Sequence, residues 1–385
     1  MNNLAIALVD CDSFFASCEQ LMNPSLNGKP VCVLSNNDGC VVARSKEAKA
    51  LGITMGMPAF MARKQFPQAV YLSGRLGLYG EISSRVMTVL SDFSPMVEVY
   101  SIDEAFVDLG GLRRLYRKNY IEIAADIRNT VRKKVGVPVS VGVSINKTLV
   151  KLATERAKAG SGVYQIGSTT ISNELKKTDL IDVWGIGRNT AAYLSKFGIH
   201  TAYEFVLQDD VWIKKSLGKR GLELKLELMG NCLYKLSNIP ALPKSIQKTS
   251  SFGQFTNDEQ YIKNSLHYHV HRACKKLRKL GMKAQMAEVM LRTKDFRVYS
   301  VKQVLTNPTD WEFDIFEAAS RALPQIYDKN ILYRSSGITL MNLTNSSRQQ
   351  LSLFNDTEQQ LKADRLAKCW DKLESRFGGG IISTF

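Results

Sequence analysis

The 385-residue sequence has no apolar run long enough to span a bilayer, and residues 1–20 carry neither a basic leader nor a cleavage-site pattern. Export and membrane insertion are therefore not expected, and a cytoplasmic protein is. Its seven cysteines (Cys11, Cys18, Cys32, Cys40, Cys232, Cys274 and Cys369) are odd in number and form no C-x-x-C pair. That argues against a disulfide framework and fits a reduced compartment. Cys11 and Cys18 lie one helical repeat apart, which points to packing rather than to metal chemistry. Histidine is scarce, with four residues, three of them at 267, 269 and 271. His267 and His271 share a helical face, but no third ligand stands nearby, so packing or surface roles are expected before a zinc site. There is no internal repeat and no low-complexity tract. Acidic residues are also in short supply: 36 Asp+Glu against 52 Lys+Arg leave a net charge of +16. Such an excess favours a polyanionic partner, nucleic acid before membrane.

The acids that are present are placed unusually. Ser101-Ile102-Asp103-Glu104-Ala105-Phe106-Val107-Asp108 sets two adjacent carboxylates inside an apolar run, where burial is costly without a cation or several donors. In a continuous strand these neighbours would point to opposite faces. A turn at Ile102–Glu104 would let both project from a hairpin tip. A third acid, Asp10, ends the apolar strand pattern Leu4–Val9. Asp10 alone would read as a helix cap or a satisfied core acid. With Asp103 and Glu104 it makes an all-oxygen set suited to Mg²⁺ and substrate phosphates.

Directly after Asp10, Asp12 or Ser13 is placed to cap a helix that begins at Phe14 and Phe15, which makes an anion site beside the acids. These aromatics read as core or as the wall of a nucleotide sugar site. Pro30–Leu34 and Cys40–Ala43 read as strands around an Asn36–Gly39 turn. Arg44–Leu51 then forms a short cationic helix carrying Arg44, Lys46 and Lys49. These cations are a solvated face unless a metal-bound triphosphate lies next to them. Glu81–Phe93 and Ile121–Val135 read as helices and Val137–Ser144 as a strand. Asn146 caps a helix bearing Lys147, Lys151, Arg156 and Lys158, and the alternation indicates an α/β or α+β core.

Downstream, Leu180–Trp184 is expected to end a short helix and Arg188–Phe197 to form another, joined by Gly185-Ile186-Gly187. This resembles a helix-hairpin-helix, with Gly185, Ile186, Gly187 and Arg188 offered to a DNA phosphate; an ordinary helical turn is the alternative. Beyond the proline-containing linker, strand 246–255, helix 258–280, strands 283–293 and 297–304, helix 312–326 and strand 331–343 give a β-α-β-β-α-β module. The apolar pentapeptide Gln350-Leu351-Ser352-Leu353-Phe354 reads as a docking peptide or as a segment packed on its own domain. A last helix spans about 357–377.

Taken together, Asp10–Glu19, Ser35–Pro58, Tyr100–Asp108, Val141–Gly162 and Val183–Gly187 resemble the Y-family translesion DNA polymerases, most closely the UmuC-type catalytic subunits of bacterial DNA polymerase V. The resemblance implies a multidomain right-hand α+β fold. Its palm would be 1–20 and 75–165, fingers 21–74, helix-hairpin-helix thumb 166–238, linker 239–245, βαββαβ-like little finger 246–345 and tail 346–385. It implies two Mg²⁺ ions, with Mn²⁺ able to substitute. Asp10 and Asp103 would ligate both, the Cys11 carbonyl the nucleotide-side ion, and Glu104 the primer-side ion. Phe15 falls at the steric gate beside Phe14, and Arg44, Lys49 and Lys158 at triphosphate-holding positions. Lys46 stands where many relatives have tyrosine. Gln350–Phe354 is similar to the peptide that binds the sliding clamp. The implied partners are primer–template DNA, deoxynucleoside triphosphates, a processed UmuD-like dimer, RecA and the clamp. The implied activity is error-prone synthesis past damage in the SOS response. A stand-alone DinB-like polymerase is the alternative within the class, and a non-catalytic DNA- and clamp-binding scaffold the alternative outside it.

Overall fold

The chain forms two units, Met1–Pro240 and Ala241–Phe385; the computed structural model describes residues 5–239, 242–345 and 357–377. The first unit starts with β1 (Ile6–Cys11), α1 (Phe14–Met22) and β2 (Val31–Leu34). It continues through β3 (Val41–Arg44), α2 (Lys46–Ala50), α3 (Ala59–Gln65), β4 (Val70–Ser73) and α4 (Leu76–Phe93). Next come β5 (Val97–Val99), β6 (Glu104–Asp108), α5 (Leu112–Tyr116), α6 (Tyr120–Lys134), β7 (Val139–Ser144), α7 (Lys147–Ala159) and β8 (Val163–Gln165). Helices α8 (Ile171–Lys176), α9 (Arg188–Ser195), α10 (Ala202–Val206) and α11 (Asp210–Leu228) complete it.

β1 is buried along its whole length because it lies inside a five-stranded sheet of order β5-β6-β1-β7-β8. Its period of two sorts the side chains. Ala7, Val9 and Cys11 join the core under α4 and α6, whereas Ile6 and Leu8 pack with Phe106 and Val150 on the α7 side. Asp10 follows Ile6 and Leu8 in that alternation. The antiparallel register pairs Asp10 with Glu104 and Leu8 with Phe106, so both acids belong to the face that α7 covers. Helix α7 can lie close because β7 has Gly142 beneath it: a Cβ there would stand 2.3 Å from the Thr154 nitrogen and 2.7 Å from the Val150 oxygen. A smaller sheet, β3-β2-β4, has its own core around Cys32, Leu34, Val41 and Ile53. The helices after residue 170 surround a third core that includes Leu175, Ile186, Leu194 and Phe205.

In the second unit, β9 (Ser245–Thr256), α12 (Glu259–Lys279), β10 (Met282–Thr293), β11 (Val298–Thr309), α13 (Glu312–Ala322) and β12 (Tyr333–Asn345) follow the expected β-α-β-β-α-β order. The strands form one antiparallel sheet, β11-β10-β12-β9. Helices α12 and α13 pack against it through Leu266, Val270, Ile315 and Ala319. The last helix, α14 (Thr357–Phe377), is tied to α12 by Arg278, which reaches Asp371 with two bonds of 2.7 and 2.8 Å.

Several boundaries differ from those read in the sequence. α4 begins at Leu76 rather than Glu81, because a fully buried Tyr79 anchors a turn that Gly77 and Gly80 disfavour locally. β11 runs on through Pro308, which an edge strand tolerates. Leu180–Asp182 is a single 3₁₀ turn, not the end of an α-helix, so the hairpin before α9 has a shorter first arm than expected. Neither Asp12 nor Ser13 caps α1 with its side chain. Ser13 takes the cap position in the left-handed region (φ 49°), and Asp12 instead accepts from the Ser140 hydroxyl at 2.8 Å. All seven cysteines are free thiols, and no described helix is long and apolar enough to cross a membrane.

Candidate active site

A cleft of about 620 Å³ opens where β1 runs into α1, and it collects most of the residues singled out above. Asp10, Asp103 and Glu104 line it together with Arg44, Lys46 and Lys49, and with Phe14, Phe15 and Lys158. Asp103 sits in the bend before β6. Its carbonyl accepts from the Cys11 nitrogen at 2.9 Å, and its Oδ1 accepts from the Ser101 hydroxyl at 2.5 Å. The turn that the two adjacent acids required is therefore present, and the Cys11 backbone is bound directly to it.

Two cations from one face of α7 hold the acids. Lys158 Nζ lies 2.8 Å from Asp10 Oδ2, and Lys151 Nζ lies 2.5 Å from Glu104 Oε2. Burial pushes the Asp10 carboxyl up to about 7, and Glu104 beside it adds to the effect against the pull of Lys158. Lys158 is raised above the ordinary lysine range: burial alone would lower it, but Asp10 and then Glu155 outweigh that. Among the described residues no three His, Cys, Asp or Glu side chains are gathered tightly enough to hold a metal as they stand. The donor chemistry does fit a hard divalent cation. Asp10 and Glu104 stand side by side on neighbouring strands, with Asp103 at the adjoining bend, which makes an all-oxygen donor set.

The cleft's cations are held by fewer partners. Arg44 is fixed by a 2.6 Å bond from its Nη1 to the Ile53 carbonyl, and its buried Nε has no partner among the described residues. Lys49 is held below its ordinary range, by loss of solvent first and by the charges of Arg44 and Lys158 next. Phe14 belongs chiefly to the core, at 4% exposed, while Phe15 stacks on Tyr79 with ring centroids 4.4 Å apart. Glu19 underlies that stack, accepting from the Tyr79 hydroxyl at 2.6 Å and pairing with Arg75.

Gly185, Ile186 and Glu104 line a second cleft of about 510 Å³ in the same unit. Ile186 points into the core and Gly187 caps α9, so of the hairpin residues only backbone and Arg188 are presented outward. Lys151, Gly142, Tyr79 and Glu19 were not assigned roles from sequence; for the lysine, the seven-residue spacing to Lys158 was the available signal. Gln350–Phe354 lies outside the described residues. Two of the three clustered histidines are clearly packed. His269 is buried beside Ser250 and Ser265, and His271 bridges Glu312 and Glu374.

Residues 9–155 match the impB/mucB/samB family, and residues 243–353 match that family's C-terminal domain. The chain is 34% identical to Protein UmuC of Salmonella typhimurium strain LT2, over 98% of this chain and 92% of that protein. The chain belongs to the impB/mucB/samB family of Y-family DNA polymerases. This Y-family chain is also 30% identical to DNA polymerase IV of Moorella thermoacetica, over 99% of its own length and 95% of that protein's. Among solved structures it resembles a Dbh–Dpo4–Dbh chimera described as a Y-family DNA polymerase, with a TM-score of 0.74 and 26% identity. That match covers 89% of this chain and 99% of the chimera. The insertion ternary complex of Dbh DNA polymerase matches with a TM-score of 0.60 at the same identity and coverage.

Proposed function

We propose that the chain is the catalytic subunit of a UmuC-type, error-prone translesion polymerase that adds deoxynucleotides to a primer 3′-hydroxyl opposite damaged template. The observation that carries this reading is that three carboxylates and Arg44, Lys46 and Lys49 line one cleft. Asp10 and Asp103 would hold two divalent cations, Mg²⁺ or in its place Mn²⁺, with the Cys11 carbonyl and Glu104 each completing the set for one of them. When bound, the cations lower the pKa of the primer hydroxyl and neutralise charge on the leaving pyrophosphate. Arg44, Lys49 and Lys158 bind the triphosphate. Phe15, backed by Tyr79, lies under the sugar and disfavours a 2′-hydroxyl.

In this reading the palm comprises 1–20 and 75–165, the fingers 21–74 and the thumb 166–238. After the linker 239–245, the little finger spans 246–345 and the tail 346–385. Gly185–Arg188 meets a DNA phosphate and Gln350–Phe354 holds the sliding clamp. A processed UmuD-like dimer and RecA complete the active assembly in SOS mutagenesis, in the cytoplasm on DNA. The 30% identity to a DNA polymerase IV favours a second reading, a DinB-like enzyme active alone. Primer extension past an abasic site separates them. Synthesis only with UmuD-like protein and activated RecA supports the UmuC type, and synthesis by the chain alone supports the DinB type. DNA binding without incorporation in any mixture would return the chain to a scaffold role.

A further inference from the structure

The Lys151 ammonium occupies a position that the proposed reaction does not use. It is bonded to Glu104 and at the same time lies 4.6 Å from the Tyr100 ring centroid, 5.8 Å from Trp184 and 6.0 Å from Phe106. Tyr100 meets Phe106 and Trp184 edge to face, so the three rings form a connected wall around the ammonium. Lys158 differs: its second partner is the carboxylate of Glu155, 2.8 Å away and exposed to solvent.

We propose that Lys151 is a positioning residue that serves as the resident counter-ion of Glu104, displaced from the carboxylate by an incoming divalent cation and retained by the aromatic wall. The inference rests on the metal reading of Asp10, Asp103 and Glu104. Its physical basis is competition. An ammonium 2.5 Å from Glu104 Oε2 and a divalent cation on the same carboxylate repel each other, so each weakens the other's hold. The cost of displacing the ammonium is reduced because Lys151 keeps its interaction with the faces of Tyr100 and Trp184, where a partly desolvated cation is still favoured. The arrangement keeps Glu104 in its turned-in position while no metal is bound, and it weakens capture of stray cations. Gly142 supports it by letting α7 approach the sheet.

The test is Mn²⁺ binding to the full chain without DNA, followed by electron paramagnetic resonance, with Trp184 fluorescence followed separately during Mg²⁺ titration. Lys151→Met should bind Mn²⁺ roughly tenfold more tightly than wild type, the equivalent of one charge-assisted bond no longer broken. Lys151→Gln should tighten binding in the same direction, and Lys151→Arg should stay near wild type. The Mg²⁺-induced change in emission should depend on Trp184, as its loss in Trp184→Phe would establish, and should disappear in Lys151→Met. Equal or weaker Mn²⁺ binding by both uncharged variants, with Asp103→Ala still abolishing it, overturns the inference and leaves the metal reading intact. Failure of every form to bind, or binding untouched by Asp103→Ala, removes the metal reading and the inference with it.

Discussion

Phe15 and Tyr79 stack with planes 16° from parallel, and the Tyr79 hydroxyl is in turn bonded to the buried carboxylate of Glu19. Phe15, half-buried where it lines the cleft, is thus backed by two residues that do not line it. Phe15→Ala should leave polymerisation running but admit ribonucleotides, as measured by incorporation of a ribonucleoside against the matching deoxynucleoside triphosphate. Unchanged sugar discrimination would show that the gate is elsewhere.

Glu19→Ala should act on the same property from a distance. It leaves the Tyr79 hydroxyl, on a side chain with no solvent exposure, without its acceptor, at a cost of about 1–3 kcal/mol. Chemical denaturation should register that loss, and discrimination against ribonucleotides should fall while remaining better than in Phe15→Ala.

Asp103→Ala and Glu104→Ala should each reduce nucleotide incorporation by about a thousandfold or more, the scale expected when charge stabilisation of the transition state is removed. Binding of primer–template, followed by fluorescence anisotropy, should change little because neither acid supplies a positive charge to DNA. A comparable loss of both properties would mark these residues as structural.

Gly142→Ala tests whether the spacing of α7 sets the position of both lysines. The added methyl would stand 2.3 Å from a helix backbone nitrogen, and backbone cannot rotate away. A loss of about 1–3 kcal/mol is expected from the overpacking, together with slower incorporation. Full stability with full activity would mean that α7 shifts freely.

The attachment of α14 should depend on pH through His271, and the packing of α12 on β9 through His269, in opposite senses. Hydrogen bonding to Glu312 raises His271, and the charges of Glu312 and Glu374 add to it. Its stabilising charge is fully present below the ordinary value of 6.5 and is lost as pH rises through the raised one. Burial, and then Arg272, push His269 down to about 4. Its neutral form stabilises above 6.5, and that contribution is lost as pH falls towards 4. Trp370, whose ring centroid lies 5.4 Å from that of His271, should report looser packing as pH rises through the raised His271 value. His271→Gln should abolish that alkaline change while Lys275–Glu374 and Arg278–Asp371 remain.

Local pattern determined much of this protein. The apolar run ending in Asp10, the acids set into a second apolar run and the seven-residue spacing of Lys151 and Lys158 are properties of neighbouring residues. So is the β-α-β-β-α-β order of the second unit. Each follows from a period of two or 3.6 and from the cost of burying charge, which act over a few residues. Tertiary structure decided what those residues meet. The register of β1 with β6 put Asp10 beside Glu104, and Gly142 let α7 bring Lys151 and Lys158 onto them. Tyr79 and Glu19, 60 positions apart, came together under Phe15. Pairings of that kind depend on strand register and on how closely a helix can approach a sheet, and these are set by the packing of the whole core rather than by any stretch of chain.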